Sequence, residues 1–431
     1  MSETPLKIAV AGLGTVGAEV VRVLRTNSEL FAARAGRPLQ VTDVSARNRD
    51  RDRGLDLSPY IWHDDAAAMA AACDADVVVE LVGGADGPAH ALVQKALSSG
   101  KDVVTANKAM LAKHGVSLAA LAEDAGQILA YEAAVAGGIP IVKALREGLA
   151  GNNVSGIYGI LNGTCNFILT TMRETGRSFA DVLKEAQDLG YAEADPAFDV
   201  DGNDAAQKLA ILASIAFGIP VNEAAVYVSG ITDVSAEDIA FAEELGYRIK
   251  LLGIARRTAE GIEQRVHTVM LSKTSPLGQI EGVTNAVEVE GDSVGRVVLT
   301  GPGAGAGPTA SAVIADLVDI AAGRRAPVFG VPHTSLRPAS LIDIEKHRGA
   351  YYLRLMVSDQ PGVIAGIAGA LGRHGVSIES VLQRGRNPGE VVPVVMVTHE
   401  CEEAAMSAAL AEIAGLPAVA EPPTLIRIAE V

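Results

Sequence analysis

A strand, a glycine turn and a helix in immediate succession constrain this chain more than any other feature. Residues 6–11 (LKIAVA) have strand composition, Gly12-Leu13-Gly14-Thr15-Val16-Gly17 follows at once, and 18–25 continues with helical apolar spacing. A lone GxGxxG says little, but a strand before it and a helix after it supply the context of a dinucleotide fold. Gly12, Gly14 and Gly17 permit the tight turn. Thr15 and Val16 begin a helix whose unpaired N–H groups and dipole favour a pyrophosphate.

The second strand, 39–44, should end beside the adenosine ribose, where an acidic residue would mark NAD. The chain instead continues Ser45-Ala46-Arg47-Asn48-Arg49. Arg47 and Arg49 suit a 2′-phosphate, so NADP is favoured over NAD, while Arg51 and Arg53 read as solvated loop residues. Further strand-like runs, 76–82, 102–105 and 127–131, carry Gly84 after the first and Lys108 after the second. The carboxyl edge of a doubly wound sheet is where ligands bind, which makes Lys108 a candidate contact.

A different pattern begins near residue 154, with a strand, the turn 162–167, helices and then hairpin-like strands from 248 to 301, a second α+β region. At its centre lies 190–209, GYAEADPAFDVDGNDAAQKL. Pro196 and Gly202 mark its first half as loop, and the segment from Asn203 has the alanine-rich spacing of a helix. Asp204 and Lys208 then share one helical face, and a lysine leaving a largely buried element beside other charges is suited to proton transfer. Residues 303–322, opening with GAGAG, form a small-residue helix expected to return to the first domain. Prolines 327, 332 and 338 mark a linker, and the remainder alternates as β-α-β-β-α-β, a ferredoxin-like module.

The expected division is a Rossmann-type dinucleotide domain at 1–135 with the returning helix 303–322, an α+β substrate and dimerisation domain at 136–302, a linker at 323–347 and the ferredoxin-like module at 348–431. A net charge of −16 argues against nucleic-acid or anionic-membrane partners. Three scattered cysteines, without CxxC spacing, give neither a disulfide framework nor a zinc site, as expected of a cytoplasmic protein. MSETPLK leads straight into the first strand, so no export segment or membrane anchor is expected.

GLGTVG, TANKAMLAKHG, YEAAVAGGIPIVKALREG, LNGTCNFIL, the 190–212 block and GPGAGAGPTASAV together resemble homoserine dehydrogenase of the type ending in an ACT regulatory domain. The resemblance covers nearly the whole chain. It implies NAD(P)-dependent interconversion of L-aspartate 4-semialdehyde and L-homoserine in threonine, methionine and isoleucine biosynthesis, with hydride transfer at nicotinamide C4. Lys208 would be the proton donor, Asp204 would orient it, and Lys108 would lie between cofactor and substrate. Glu193 would hold the substrate ammonium, with Thr164, Tyr191 and Asp199 lining the pocket. Gly84 and Gly305 would touch the cofactor. Glu132, Val135, Gly137 and Ile139 would form a monovalent-cation site (Na+ or K+), mainly through backbone carbonyls. The resemblance also implies a homodimer or homotetramer and an amino-acid effector, with threonine favoured. The reading from a different class is an amino-acid sensor whose nucleotide fold has lost catalysis.

Overall fold

The computed structural model describes residues 4–384 and 390–430. Residues 1–3, 385–389 (Gly385 being expected to end a strand of the last module) and Val431 lie outside the described residues. Six parallel strands, β1 (Leu6–Ala11), β2 (Leu39–Ser45), β3 (Ile61–His63), β4 (Val77–Glu80), β5 (Asp102–Thr105) and β6 (Leu129–Ala130), stand in the order β3-β2-β1-β4-β5-β6. β4 is buried along its whole length, which is why it reads as an unbroken apolar run. The strand order reverses between β1 and β4, and a crevice opens at their carboxyl ends. Helices α1 (Thr15–Thr26) and α2 (Lys108–Asp124) start at that edge.

Strands β7 (Val154–Ile160), β8 (Tyr227–Val228), β9 (Tyr247–Arg257), β10 (Ile262–Ser272), β11 (Thr284–Gly291) and β12 (Gly295–Pro302) belong to a second sheet. Helices α3 (Gly163–Thr175) and α4 (Asn203–Phe217) pack on one of its faces. Alanine and aliphatic side chains wrap most of α4, so it is buried nearly all round. The acidic segment before it, expected as loop, contains a helical turn at Ala197–Val200, started by Asp195, whose Oδ1 accepts from the Ala197 N–H at 3.3 Å. Helix α5 (Ala306–Ala321) lies against α1, where Ala310, Val313 and Leu317 share a core with Val20, Val21 and Leu24.

The proline-marked segment after α5 is anchored. Val328 and Phe329 are buried, the Tyr131 hydroxyl donates to the Val328 carbonyl at 2.6 Å, and the Glu123 carboxylate accepts from the N–H groups of Val328 and His333. Beyond it β13 (Arg348–Ser358), α6 (Val363–Arg373), β14 (Ile378–Gln383), β15 (Val391–Thr398), the short β16 (Cys401–Glu402), α7 (Glu403–Ala414) and β17 (Thr424–Ala429) form the ferredoxin-like module. Its strands run β17-β13-β15-β14.

This module is not separate from the second sheet. β17 also pairs in parallel with β10, Val269 opposite Arg427 and Leu271 opposite Ala429, so the described residues form one 11-stranded sheet across both. Charged pairs fasten the seam. Arg354 donates to both oxygens of the buried Asp238 carboxylate, at 2.6 and 3.0 Å, and Arg427 lies between Glu403 and the Tyr227 ring. No helix among the described residues is long and apolar enough to cross a membrane.

Candidate active site

The glycine turn separates into two kinds of position. A Cβ on Gly12 would stand 2.3 Å from the Leu81 carbonyl oxygen, and one on Gly17 would stand 1.8 Å from that of Gly12, so close helix–strand packing requires both. Gly14 has nothing within 4 Å of that position. It is open, beside a helix whose N-terminus has no side-chain cap, so the unpaired N–H groups of Thr15 and Val16 stand at an uncovered surface. Gly84 (φ +89°) and Gly305 (φ +119°) are also free of contacts under 3.5 Å at that position, and both precede the N-terminus of a helix that returns to this edge. This donor set and clear space fit a dinucleotide.

β2 ends at Ser45, and Asp43 is buried with its Oδ1 2.6 Å from His63 Nε2, so no acidic group is offered at the strand end. Arg47 and Arg49 are exposed just beyond it, with Arg49 over the Trp62 ring at 5.8 Å. Arg53 departs from the solvated-loop expectation. Its Nε donates to the Leu13 carbonyl at 3.0 Å and its guanidinium to Asn48 and Arg51 carbonyls, tying the arginine loop to the glycine turn.

A second arrangement orders the Gly83-Gly84 turn. The wholly buried Glu80 accepts from the Val82 and Gly83 N–H groups at 2.8 and 2.9 Å and from the Thr105 hydroxyl at 2.5 Å. Asn107 donates to the Gly84 carbonyl at 2.8 Å and accepts from Met110 N–H, capping α2 one residue before Lys108. Sequence reasoning missed Glu80, Thr105 and Asn107. Their strand-end positions are the only signal that could have found them.

From that cap Lys108 reaches across the crevice. Its Nζ stands 3.2 Å from Asp204 Oδ1, while Lys208 donates to Asp204 Oδ2 at 2.7 Å and to the Leu161 carbonyl at 2.7 Å. The carboxylate therefore lies between two ammonium groups drawn from different domains. Burial alone would push the Asp204 carboxyl up, but the charges of Lys208 and Lys108, with the Lys208 and Asn162 hydrogen bonds, hold it at about 2. Asn162, read from sequence only as a turn residue, donates to both Asp204 and Asp199 at 2.8 Å and accepts from Cys165 N–H as the cap of α3. Burial raises the Asp199 carboxyl; the Asn162 bond opposes that rise and the Asp204 charge adds to it.

Next to this group the Thr164 hydroxyl donates to the Tyr191 carbonyl at 2.7 Å, and the exposed Tyr191 ring meets Phe167 edge-on. Glu193 lies on the same loop, its carbonyl held by Gln187 at 3.0 Å. Its carboxylate is exposed and without a hydrogen-bond partner among the described residues. Cys165 is buried, donates to the Asp199 carbonyl, and burial raises its thiol well above the usual range, which suits packing and not nucleophilic attack.

Glu132, Val135, Gly137 and Ile139 stand apart from the lysines, at the crossing between domains. The Glu132 carboxylate is spent on the Val142 and Lys143 N–H groups, and the Ile139 carbonyl accepts from Ile141 N–H at 2.8 Å. The carbonyls of Val135 and Gly137 receive no N–H of the described residues. Between them Ala136, at φ +55°, is the one non-glycine residue with positive φ among the described residues. Two free carbonyls thus flank a positive-φ turn.

Family profiles match the chain along most of its length: "Homoserine dehydrogenase, NAD binding domain" at residues 12–132, "Homoserine dehydrogenase" at 140–318 and "ACT domain" at 351–418. A homoserine dehydrogenase of Pseudomonas aeruginosa is 47% identical, covering 98% of this chain and 99% of its own. The chain belongs to the homoserine dehydrogenase family. The crystal structure of a homoserine dehydrogenase from Thiobacillus denitrificans superposes with a TM-score of 0.94 at 45% identity, over 99% of both chains. A hyperthermophilic archaeal homoserine dehydrogenase in complex with NADPH matches 73% of this chain and 97% of its own, with a TM-score of 0.62 at 28% identity. Membership in this family makes the chain an NAD(P)-dependent oxidoreductase and decides against a non-catalytic sensor.

Proposed function

We propose that this enzyme interconverts L-aspartate 4-semialdehyde and L-homoserine with NADP(H), using Lys208 as the proton donor in reduction and acceptor in oxidation. The observation that carries the reading is the Lys208–Asp204–Lys108 group at the carboxyl edge of the dinucleotide sheet. The bound nicotinamide supplies or accepts the hydride. Lys208 spends two N–H groups on Leu161 and Asp204, which fixes Nζ and leaves a third to give to the aldehyde oxygen as it gains charge. Asp204 stays ionised and balances both lysines, and Asn162 holds it in register with Asp199. Lys108, supplied by the dinucleotide domain, fixes the two domains across the site and faces both ligands. Glu193 pairs with the substrate ammonium, and Thr164, Tyr191 and Asp199 shape its pocket.

Arg47 and Arg49 hold the 2′-phosphate of NADP. A sodium or potassium ion is held mainly by backbone carbonyls of Glu132, Val135, Gly137 and Ile139, of which those of Val135 and Gly137 receive no N–H of the described residues. The chain divides into a dinucleotide domain at 1–135, to which 303–322 returns, a substrate domain at 136–302, a connecting segment at 323–347 and the ACT module at 348–431. Dimers form through the substrate domain. β14, at the open edge of the large sheet with Val381 exposed, is where paired ACT modules extend them to tetramers, with threonine as the effector and the cytoplasm as the compartment. The test is Lys208→Ala: oxidation of homoserine, followed as NADPH absorbance, should fall by about 10²–10⁴-fold while NADPH binding is kept. Turnover within a few-fold of the parent would remove Lys208 from the proton step.

A further inference from the structure

At the seam between the catalytic sheet and the ACT module lies a cavity of about 260 Å³, below the volume usual for drug-sized ligands and suited to a small metabolite. β8 and β10 form one wall, with Tyr227, Glu263, Gln264 and Arg265, and residues 342–347 form the other, with Asp343 and His347. Two of these side chains are buried with unmet bonding capacity. Gln264 and Arg265 are each 4% exposed, and neither the amide atoms of Gln264 nor the Nε of Arg265 has a hydrogen-bond partner among the described residues. Orphaned donors and acceptors cost free energy unless something meets them.

The charges alternate around the opening. Arg265 pairs with Glu263 through a terminal nitrogen, leaving its Nε, while Asp343 spends one oxygen on the Glu345 N–H and keeps the other. Burial, reinforced by Arg265 and Arg427, lowers the His347 imidazole to about 3, so it is neutral and adds no charge. We infer that this cavity binds a small zwitterionic amino acid, its carboxylate on Arg265 and its ammonium on Asp343 and Glu263. A simple anion would meet two carboxylates here and a simple cation would meet the arginine; a zwitterion satisfies both.

The cavity touches the catalytic helix through one short segment. Ala224 and Val226 also wall the cleft beside Asn203 and Gln207, and Gln207, one residue before Lys208, donates to Glu223 at 3.2 Å. On the other side Tyr227 supports Arg427 of β17. The inference rests on the effector reading above and moves that effector from the ACT module alone to the seam.

The test is calorimetric titration of the full-length protein with alanine, serine, threonine and valine, then with the amide and 2-hydroxy-acid analogues of whichever binds. At least one amino acid should bind saturably, and analogues lacking either charge should bind at least tenfold more weakly. Ala225→Leu, which fills the cavity, and Asp343→Asn, which removes the ammonium partner, should each weaken binding at least tenfold and leave turnover without effector unchanged. Either variant decides the point if circular dichroism shows the other misfolded. Undiminished binding in the variants overturns the location and leaves the effector reading standing; absence of both binding and inhibition overturns the two together. Acetate or inorganic phosphate binding as tightly as the amino acid overturns the zwitterion.

Discussion

Asp204 and Glu132 are carboxylates of nearly equal burial, 5% and 2% exposed, at the junction of the same two domains, and they end at opposite extremes. Burial pushes each up. Beside Asp204 the two lysine ammonium groups reverse that and hold it at about 2, whereas beside Glu132 the Asp316 carboxylate adds to it and raises Glu132 to about 7. Burial sets how much a neighbour matters; the neighbour sets the sign. One site is built to keep a charge and the other to shed one, and in the proposed mechanism only the first sits where a proton is moved.

The largest way to break this contrast is Asp204→Asn, which leaves two ammonium groups facing a neutral amide. It should cost about 3–5 kcal/mol in urea unfolding, as loss of one partner from a buried ion group does. Turnover should fall by about a hundredfold or more. Retained stability at pH 7 would mean the lysines find other partners. At Glu132 the effect is smaller and runs with pH. Its folded value lies above the ordinary 4.5, so its contribution to stability is complete below that and is lost as pH rises through about 7. Glu132→Gln, which mimics the protonated acid, should remove up to about 3 kcal/mol of that pH dependence. If unfolding curves of parent and variant stay parallel from pH 4.5 to 8, Glu132 does not titrate there. The smallest effect belongs to charges left in solvent. Arg47→Ala with Arg49→Ala should raise KM for NADP about tenfold and leave KM for NAD unchanged. An equal rise with NAD would place the arginines away from the 2′-phosphate.

What the sequence exposed follows from how local each feature is. Lys208 and Asp204 are four residues apart on one helix, and the glycine turn is six residues between a strand and a helix, so local pattern and its flanking context display them, while the role of Lys208 comes from the family resemblance. Lys108 shows its place at a strand end but not that it meets Asp204, because that contact joins two domains. Asn162 and Glu80 were invisible as site residues for the same reason: an asparagine before a helix and an acid ending a strand acquire these partners only in three dimensions. Arg53 was misread because its acceptors are backbone carbonyls, which have no sequence identity. The ferredoxin-like module was plain in its alternation, yet β17 satisfying two neighbours, β13 and β10, leaves no mark in composition.

That shared strand also bears on how the protein is made and how it fails. β10 and β17 meet across about 160 residues of sequence, so their pairing closes a long loop and should belong to the slow part of folding. Until it closes, Val269, Met270 and Leu271 present an unpaired apolar edge that can recruit a strand from another molecule. Cutting away the regulatory module would recreate that edge permanently, and the shortened enzyme should be lost to aggregation before deregulation could be observed.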